Sequence, residues 1–307
     1  MARTVPRAVM QKAHAFGEPG QAWLSSLDAA IADIEQQWNI SVKEALAGGT
    51  SAFVARAAST CGNEEYVLKL PMPEIFGGVF EPEAAALTAA DGKGYAKLLR
   101  YDLPKRAMLL EKLGKPLKDL GYSHEEEIRI ICGTLQSSWA PVHNTLLSGS
   151  HETLQWFQKF IRPQWKELQQ PCPEFVIDAA YDLLSRREHE CSPNEFVLIH
   201  GDAHNGNILQ AADRSFKFID PDGIIFEKAY DLGVLMREWI DDLLPDPVVQ
   251  GRARCRFLHE ITGVETNAIW AWGLIQSVST ALVLIQIGQS SAGKALLSVA
   301  EKWAAAE

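Results

Sequence analysis

The order of the secondary-structure signals along the chain is the feature that most constrains its fold. Short extended runs separated by turn residues fill residues 41–111, and helical periodicity dominates from residue 123 onward. Strands first and helices later are typical of α+β proteins. The 307 residues are enough for two units of ordinary size. We therefore predict an α+β protein with a β-rich lobe at 1–113 and a helical lobe at 114–307.

The β-rich lobe is predicted to be an antiparallel meander with a leading helix. Apolar residues at three- and four-residue steps between Trp23 and Trp38 predict that helix. Alanine-rich sequence after Pro82 predicts a short helix that interrupts the sheet. Strands are predicted at residues 41–46, 52–58, 66–70, 95–101 and 107–111.

The helical lobe contains one polar interruption. Its first helix is predicted to begin with a capping box formed by Ser123 and Glu126, with an apolar stripe that reaches Val142. Residues 196–220 instead form short strand-like runs around a polar loop. The apolar stretch 268–287 is broken by glutamine, serine and threonine, which predicts a buried core helix and not a membrane span.

Composition excludes some classes of function. A formal net charge of -10 argues against a nucleic-acid binder and would suit a cationic ligand, although acidity also serves solubility alone. The first twenty residues contain no apolar core of a secretory signal, and the five cysteines lack metal-binding spacing. We expect a reduced, cytoplasmic protein.

The strongest functional signal is the run His200-Gly201-Asp202-Ala203-His204-Asn205-Gly206-Asn207, which follows a predicted strand. Kinases place an asparagine five residues after the catalytic aspartate, and a second metal-binding aspartate further on. We predict that Asp202 accepts the proton of an acceptor hydroxyl. Asn207 and Asp220 would supply the hard oxygen ligands that Mg²⁺ prefers. A turn at 212–215 would return Asp220 to the side of Asn207.

The two histidines of this run allow two interpretations. We expect His200 and His204 to shape the loop through hydrogen bonds. Together with Asp202 they also form an HxDxH run, so a metal-dependent phosphoester hydrolase is the alternative from another class. A non-catalytic nucleotide-binding module on the same fold is a further alternative.

A kinase also needs a strand lysine to hold the nucleotide phosphates and a helix glutamate to hold that lysine. Lys69 lies in a predicted strand, and Glu83 lies at the start of the next helix, with Glu81 as the competing partner. The turn Gly48-Gly49-Thr50-Ser51 could cover the phosphates with backbone amides; a plain hairpin turn is the other interpretation. We therefore predict ATP as cofactor, with Lys69, Glu83, Gly48, Gly49 and Ser51 at its site.

Three motifs resemble one family. Residues 200–207 resemble the HGDxHxxN pattern, residues 219–223 the IDPxG pattern, and residues 230–233 the YDLG pattern of the aminoglycoside phosphotransferases, in particular the aminoglycoside/hydroxyurea resistance kinases. The resemblance extends over most of the chain. It implies a two-lobed, protein-kinase-like fold that binds ATP between the lobes.

The resemblance also implies roles for residues outside the catalytic run. Adenine would lie against the linker from Glu111 to Leu113. Asp231, in the YDLG segment, would brace the catalytic loop, unless it is only the N-cap of a helix over 232–240.

The acceptor implied by the resemblance is a small molecule. Gly201 and Pro221 replace residues typical of protein kinases, so a protein acceptor is not expected. Streptomycin-like aminoglycosides, basic peptide antibiotics and hydroxyurea are implied, and an endogenous sugar or amino alcohol is the alternative. The acidic stretch 238–246 could hold a cationic acceptor or could be a solvated helix face.

Overall fold

The structure is a computed structural model and describes residues 4–46, 49, 51–73, 80–142, 144 and 146–307. Contacts between residues divide the chain into an N-terminal unit, Met1–Gly114, and a C-terminal unit, Lys115–Glu307. The first contains an antiparallel sheet and the second is mainly helical. The predicted α+β class is therefore confirmed.

The N-terminal unit is built on one five-stranded antiparallel sheet. The strands follow the order β1-β2-β3-β5-β4, so β3 lies at the centre and β4 at an edge. In β3, Lys69 is paired with Val54 of β2 and Met108 of β5. The bounds are α1 Arg7–Ala15, α2 Glu18–Trp38, β1 Ile40–Ala45, β2 Ala52–Ser59, β3 Glu65–Pro71, α3 Phe80–Ala90, β4 Leu98–Asp102 and β5 Ala107–Glu111.

Helix α2 covers one face of this sheet. Its apolar stripe, which includes Leu27, Ile31 and Ile34, packs against inward-facing side chains such as Phe53 and Leu68. These five side chains are almost fully buried. Burial of a large apolar side chain contributes about 1.5–3 kcal/mol, so this packing holds the lysine-bearing strand in place.

Two predictions for this unit differ from the structure. Helix α1 was not predicted, because only Val9 and Ala13 of it are buried and the apolar signal is therefore short. The strand predicted from Tyr95 begins instead at Leu98. The backbone N–H of Lys97 donates to the Glu111 side-chain carboxylate at 2.6 Å, so that only the Lys97 carbonyl, which accepts the Glu111 N–H at 2.9 Å, takes part in backbone pairing.

The C-terminal unit consists of eight helices of at least four residues and two small strand pairs among the described residues. Strand β6 pairs with β9, and β7 pairs with β8, both antiparallel. The bounds are α4 His124–Ser138, α5 Ser150–Glu167, α6 Glu174–Glu190, β6 Val197–Ile199, β7 Ile208–Gln210, β8 Phe216–Phe218, β9 Ile224–Phe226, α7 Ala229–Arg237, α8 Ile240–Leu243, α9 Pro247–Thr262, α10 Thr266–Gln286 and α11 Ser290–Ala304.

Helix α10 is the core of this unit. It is long and apolar enough to cross a membrane, but 78% of its most apolar window is buried inside the protein, as expected for a core helix. It packs closely on α7 at Gly233, where a Cβ atom would lie 2.6 Å from that of Trp272. The close approach requires glycine at this position of the YDLG segment and fixes α7 against the core.

The remaining differences lie at the ends of elements. The capping box of α4 is confirmed, with Ser123 and Glu126 bonded to each other's backbone. The helix ends at Ser138, however, so Val142 is not part of its stripe. The helix does not continue because Ala140 precedes Pro141, and a residue before proline disfavours helical backbone. Strand β9 was not predicted, since three residues are too few for a periodic signal.

Candidate active site

Residues 200–207 form a tight loop between β6 and β7. The backbone N–H of His204 donates to the Asp202 carbonyl at 2.9 Å, and that of Asn207 donates to the His204 carbonyl at 3.0 Å. These turns bend the chain so that Asp202 and Asn207 belong to one compact segment. These two turns set the path of the chain within the loop.

The predicted hairpin is present. Strands β7 and β8 pair from Ile208 opposite Phe218, and the Ile219 N–H donates to the Asn207 carbonyl at 2.9 Å. Asp220 follows directly, is exposed, and has a positive φ of 57°. A left-handed backbone is uncommon for a residue other than glycine and is often found at functional sites.

Asn207 and Asp220 offer oxygen atoms suited to Mg²⁺. The Asn207 side-chain amide nitrogen donates to the Asp202 carbonyl at 3.1 Å, which directs its Oδ1 away from that carbonyl. One amide oxygen and one carboxylate form a hard donor set that fits Mg²⁺, which usually takes few protein ligands and completes its shell with phosphates and water. These residues therefore fit the cofactor predicted from the sequence.

The Asp202 carboxylate is held at both oxygens. Arg237 Nη2 donates to Oδ1 at 2.9 Å, and His204 Nε2 lies 3.5 Å from Oδ2. Burial opposes ionisation of Asp202, but the contact with His204 and the charge of Arg237 outweigh it, so the pKa of this carboxyl lies well below its usual range. Asp202 is therefore ionised and can accept a proton in the transition state.

Both histidines have structural hydrogen bonds. His200 is fully buried; its Nδ1 accepts the Asp202 N–H at 3.1 Å, so its Nε2–H donates to the Ile219 carbonyl at 2.8 Å. Burial lowers the pKa of His200, which keeps the ring neutral. In His204, Nδ1 accepts the Gly206 N–H at 3.0 Å, which places the ring proton on Nε2, toward Asp202.

Asp231 fixes the start of the loop. Its Oδ1 accepts the Gly201 N–H at 2.8 Å, and its Oδ2 accepts the His200 N–H at 3.1 Å and the Trp139 indole N–H at 2.9 Å. Burial raises the pKa of Asp231, while these donors and the His200 ring oppose the rise. The N-cap interpretation is wrong, because α7 begins at Ala229 and Asp231 lies inside it.

Glycine is required at position 201. Its φ is +92°, and a Cβ atom there would lie 2.4 Å from an oxygen of Asp222. The arginine that protein kinases have at this position could not adopt this backbone. The sequence departure noted above thus has a local steric reason.

In the N-terminal unit, Lys69 and Glu83 form a buried ion pair. Lys69 Nζ lies 2.6 Å and 2.8 Å from the two oxygens of Glu83, and the residues are 9% and 3% exposed. Glu83 therefore contacts the strand lysine, as predicted, in preference to Glu81. The pair spans β3 and α3 and fixes the direction of the ammonium group.

The other predicted nucleotide residues are placed less completely. Gly48 lies outside the described residues, and Gly49 is exposed. The Ser51 hydroxyl accepts a hydrogen bond from Lys12, and its carbonyl accepts the Met72 N–H. Leu113 is half-buried and follows the end of β5 at Glu111.

Comparison with known proteins identifies the family. The family model described as aminoglycoside/hydroxyurea antibiotic resistance kinase matches residues 37–288. The chain belongs to this family. A streptomycin 6-kinase of Streptomyces glaucescens is 25% identical over 296 residues, which cover 94% of this chain and 93% of that protein.

Solved structures show the same fold. Choline kinase LicA from Streptococcus pneumoniae superposes with a TM-score of 0.62 at 15% identity, covering 92% of this chain and 99% of the other. A thermostable aminoglycoside phosphotransferase APH(4)-Ia, in complex with ADP and hygromycin B, gives a TM-score of 0.56 at 14% identity and covers 88% and 97%. The protein-kinase-like fold is confirmed. As a member of the resistance-kinase family, this chain is a small-molecule phosphotransferase.

Family membership and geometry both disfavour the hydrolase alternative for this resistance kinase. Both ring nitrogens of His200 are already bonded, so the HxDxH run cannot act as a metal-binding motif in this arrangement. In the part of the chain that the structure describes, no group of three or more histidine, cysteine, aspartate or glutamate side chains could hold a metal ion.

Sequence reasoning missed residues of this kinase that contact the loop. Arg237 contacts Asp202 from the end of α7. Glu127 is 4% exposed, and its Oε2 accepts both the Asn205 side-chain amide at 2.8 Å and the Trp239 indole N–H at 3.0 Å. Neither residues 235–239, which include Arg237, nor the α4 sequence around Glu127 carries a motif that would have singled these residues out.

The acidic stretch is largely accounted for by protein contacts. Asp242 contacts His124 at 2.8 Å and Arg254 at 3.6 Å, and Asp246 caps α9 through the Val249 N–H. These two carboxylates therefore have structural partners, which favours the interpretation of the stretch as a solvated face.

Proposed function

We propose that this resistance kinase transfers the γ-phosphoryl group of ATP to a hydroxyl of an aminoglycoside antibiotic of the streptomycin type. The geometry of Asp202 supports the proposal most directly. It is an ionised carboxylate, partly exposed, on a loop whose backbone and side chain are both held. Such a group suits a general base in a reaction that depends on positioning.

The transfer needs one proton acceptor and one leaving group. The acceptor oxygen attacks the γ-phosphorus, its proton passes to Asp202, and the bond from the γ-phosphorus to the bridging oxygen breaks. ADP leaves with that electron pair. Asn207 and Asp220 would hold Mg²⁺, which, when bound, neutralises charge on the phosphates.

The nucleotide is assigned to the residues of the N-terminal unit. Lys69 carries a buried positive charge oriented by Glu83, which suits a contact with phosphate oxygens. Gly48, Gly49 and Ser51 would cover the phosphates, and the backbone from Glu111 to Leu113 would meet adenine. Convergence of these groups with Asp202 around one magnesium nucleotide is part of the proposal.

The acceptor is proposed from the relatives. Streptomycin is named for the S. glaucescens protein, whose similarity extends over almost the whole of this chain. Hydroxyurea, which appears in the family description, is the second candidate. A net charge of -10 favours attraction of a cationic aminoglycoside over a neutral acceptor. The enzyme is proposed to act in the cytoplasm, where ATP is available.

The function is tested with purified protein, ATP and magnesium. We expect ADP formation that depends on streptomycin, and a phosphorylated product whose position ³¹P NMR assigns. Excess EDTA should abolish turnover, and added magnesium should restore it. Turnover with hydroxyurea but not streptomycin would change the acceptor, whereas phosphoester hydrolysis without ATP would overturn the kinase assignment.

Lys69→Met is expected to lower kcat/KM for ATP by about 100-fold, because loss of a preorganised charged donor removes transition-state stabilisation of that order. Initial rates at varied ATP concentration measure the effect. The matched control is Lys43→Met, which removes the exposed lysine of β1 and should leave kinetics unchanged. Equal kinetics for Lys69→Met and the unmodified enzyme would remove Lys69 from the nucleotide site.

A further inference from the structure

Arg237 is a buried guanidinium attached to the reactive carboxylate. Its Nη2 lies 2.9 Å from Asp202 Oδ1, and its Nη1 lies 3.0 Å from Glu238 Oε1. The Arg237 side chain is 14% exposed and that of Asp202 is 41% exposed. The guanidinium is thus mostly buried, whereas the carboxylate that it contacts remains partly exposed.

Helix α7 contacts the loop at two separate points. Asp231, near its start, binds the backbone N–H groups of His200 and Gly201. Arg237, its last residue, binds a side chain of the same loop. Six residues of helix correspond to about 9 Å of axial length, so the two contacts are distinct. One sets the path of the backbone and the other sets the orientation of a side chain.

The second contact is needed because backbone bonds do not fix a carboxylate plane. The terminal torsion of aspartate is broad, so a carboxylate on a well-ordered loop can still rotate. Arg237 at Oδ1, with His204 3.5 Å from Oδ2, restricts that rotation. A guanidinium is planar and always charged, which makes it better suited than lysine to fixing such a plane.

We propose that Arg237 is a positioning residue, which holds the carboxylate of Asp202 in the orientation that accepts the acceptor's hydroxyl proton. The proposal rests on the proposed function. Among the described residues, Arg237 Nε is buried and has no hydrogen-bond partner. A buried donor without a partner costs free energy of folding. Arg237 is therefore held in an orientation that keeps the Nη2 contact with Asp202 although its Nε–H remains unsatisfied.

The experiment is a double-mutant cycle on kcat with streptomycin as acceptor. A 1 Å displacement of a reacting group can cost about 100-fold, so Arg237→Ala should lower kcat by about that factor while ADP affinity stays within about threefold. In the Asp202→Asn background, Arg237→Ala should cost almost nothing more, because its effect passes through the carboxylate. A merely structural arginine would lower kcat by a similar factor in both backgrounds.

Chemical rescue gives an independent readout. Millimolar guanidinium should raise kcat of Arg237→Ala at least about tenfold, toward that of the unmodified enzyme, because it can take the place of the missing side chain beside the carboxylate. It should not raise kcat of Asp202→Asn. Arg129→Ala is the matched control, because this exposed arginine contacts Glu125 of its own helix and the Phe257 ring, neither of which belongs to the loop of residues 200–207, and its kcat should not change. If Arg237→Ala does not fold, Arg237→Gln and Arg237→Lys replace it in the cycle.

The outcomes separate this proposal from the proposed function. Unchanged kcat in Arg237→Ala, or additive effects in the double mutant, would overturn the positioning role while Asp202→Asn remains inactive. Full activity of Asp202→Asn would overturn both. Non-additivity together with rescue would support the role of Arg237.

Discussion

Asp202→Asn is expected to lower kcat by about 10²–10⁴-fold, the range over which a positioned general base contributes to a proton transfer. The asparagine side chain has nearly the same shape, and its oxygen can still accept the Arg237 N–H, so the loop should keep its conformation. Only the ability to accept the hydroxyl proton is lost. Steady-state rates with saturating streptomycin and ATP measure the effect.

The affinity for nucleotide separates catalysis from folding in this variant. ADP affinity, measured by calorimetry, should remain within about threefold, since the removed charge acts on the acceptor and not on nucleotide binding. Asp213→Asn is the matched control, because Asp213 is an exposed aspartate of the β7–β8 turn that accepts from Ser215. A folded Asp202→Asn enzyme with kcat close to that of Asp213→Asn would rule out Asp202 as the base.

The geometry of residues 200–220 could be predicted because these residues are close in sequence. Asp202 and Asn207 lie on one loop, and Asp220 follows the hairpin after it. The turn at 212–215 brings the chain back, so that Asp220 returns toward Asn207. The same applies to Lys69 and Glu83, where a strand and the first turn of the next helix bring together two residues fourteen positions apart. Local chemistry therefore carried enough information in both places.

Contacts over long sequence distances could not be predicted in the same way. Arg237 is 35 residues from Asp202, and Glu127 is 78 residues from Asn205. Each contact depends on how helices pack, and a single arginine or glutamate on a helix is usually a surface residue. The close packing at Gly233 that sets the position of α7 has no signature in the sequence except the glycine itself.

Asp231 shows a second limit of sequence reasoning. The sequence allowed both a loop brace and a helix N-cap, since aspartate suits either position. The start of α7 decides between them, and helix ends are the least certain feature of a periodic pattern. With the helix beginning at Ala229, the carboxylate is buried in the protein. It accepts hydrogen bonds from two backbone N–H groups of the loop and from the Trp139 indole.

Asp231→Ala is expected to be the most destabilising of the substitutions considered, with a loss of about 3 kcal/mol or more in the free energy of unfolding. Three N–H donors would lose their acceptor, and each unsatisfied buried donor costs about 1–3 kcal/mol before any water enters. Asp231 is fully buried, so water cannot replace the carboxylate without a change in packing. Urea unfolding followed by circular dichroism measures the difference.

A matched control shows whether the loss comes from the loop contact. Asp178→Ala removes an exposed aspartate that pairs with Arg162 on the surface of the same unit, and such pairs contribute only about 0–1 kcal/mol. Asp231→Asn should fall between the two, because its amide oxygen can accept some of the bonds while its NH₂ group faces another donor. If Asp231→Ala and Asp178→Ala unfold at the same urea concentration, the backbone of His200 and Gly201 does not depend on this carboxylate, and the loop must be held by its own turns.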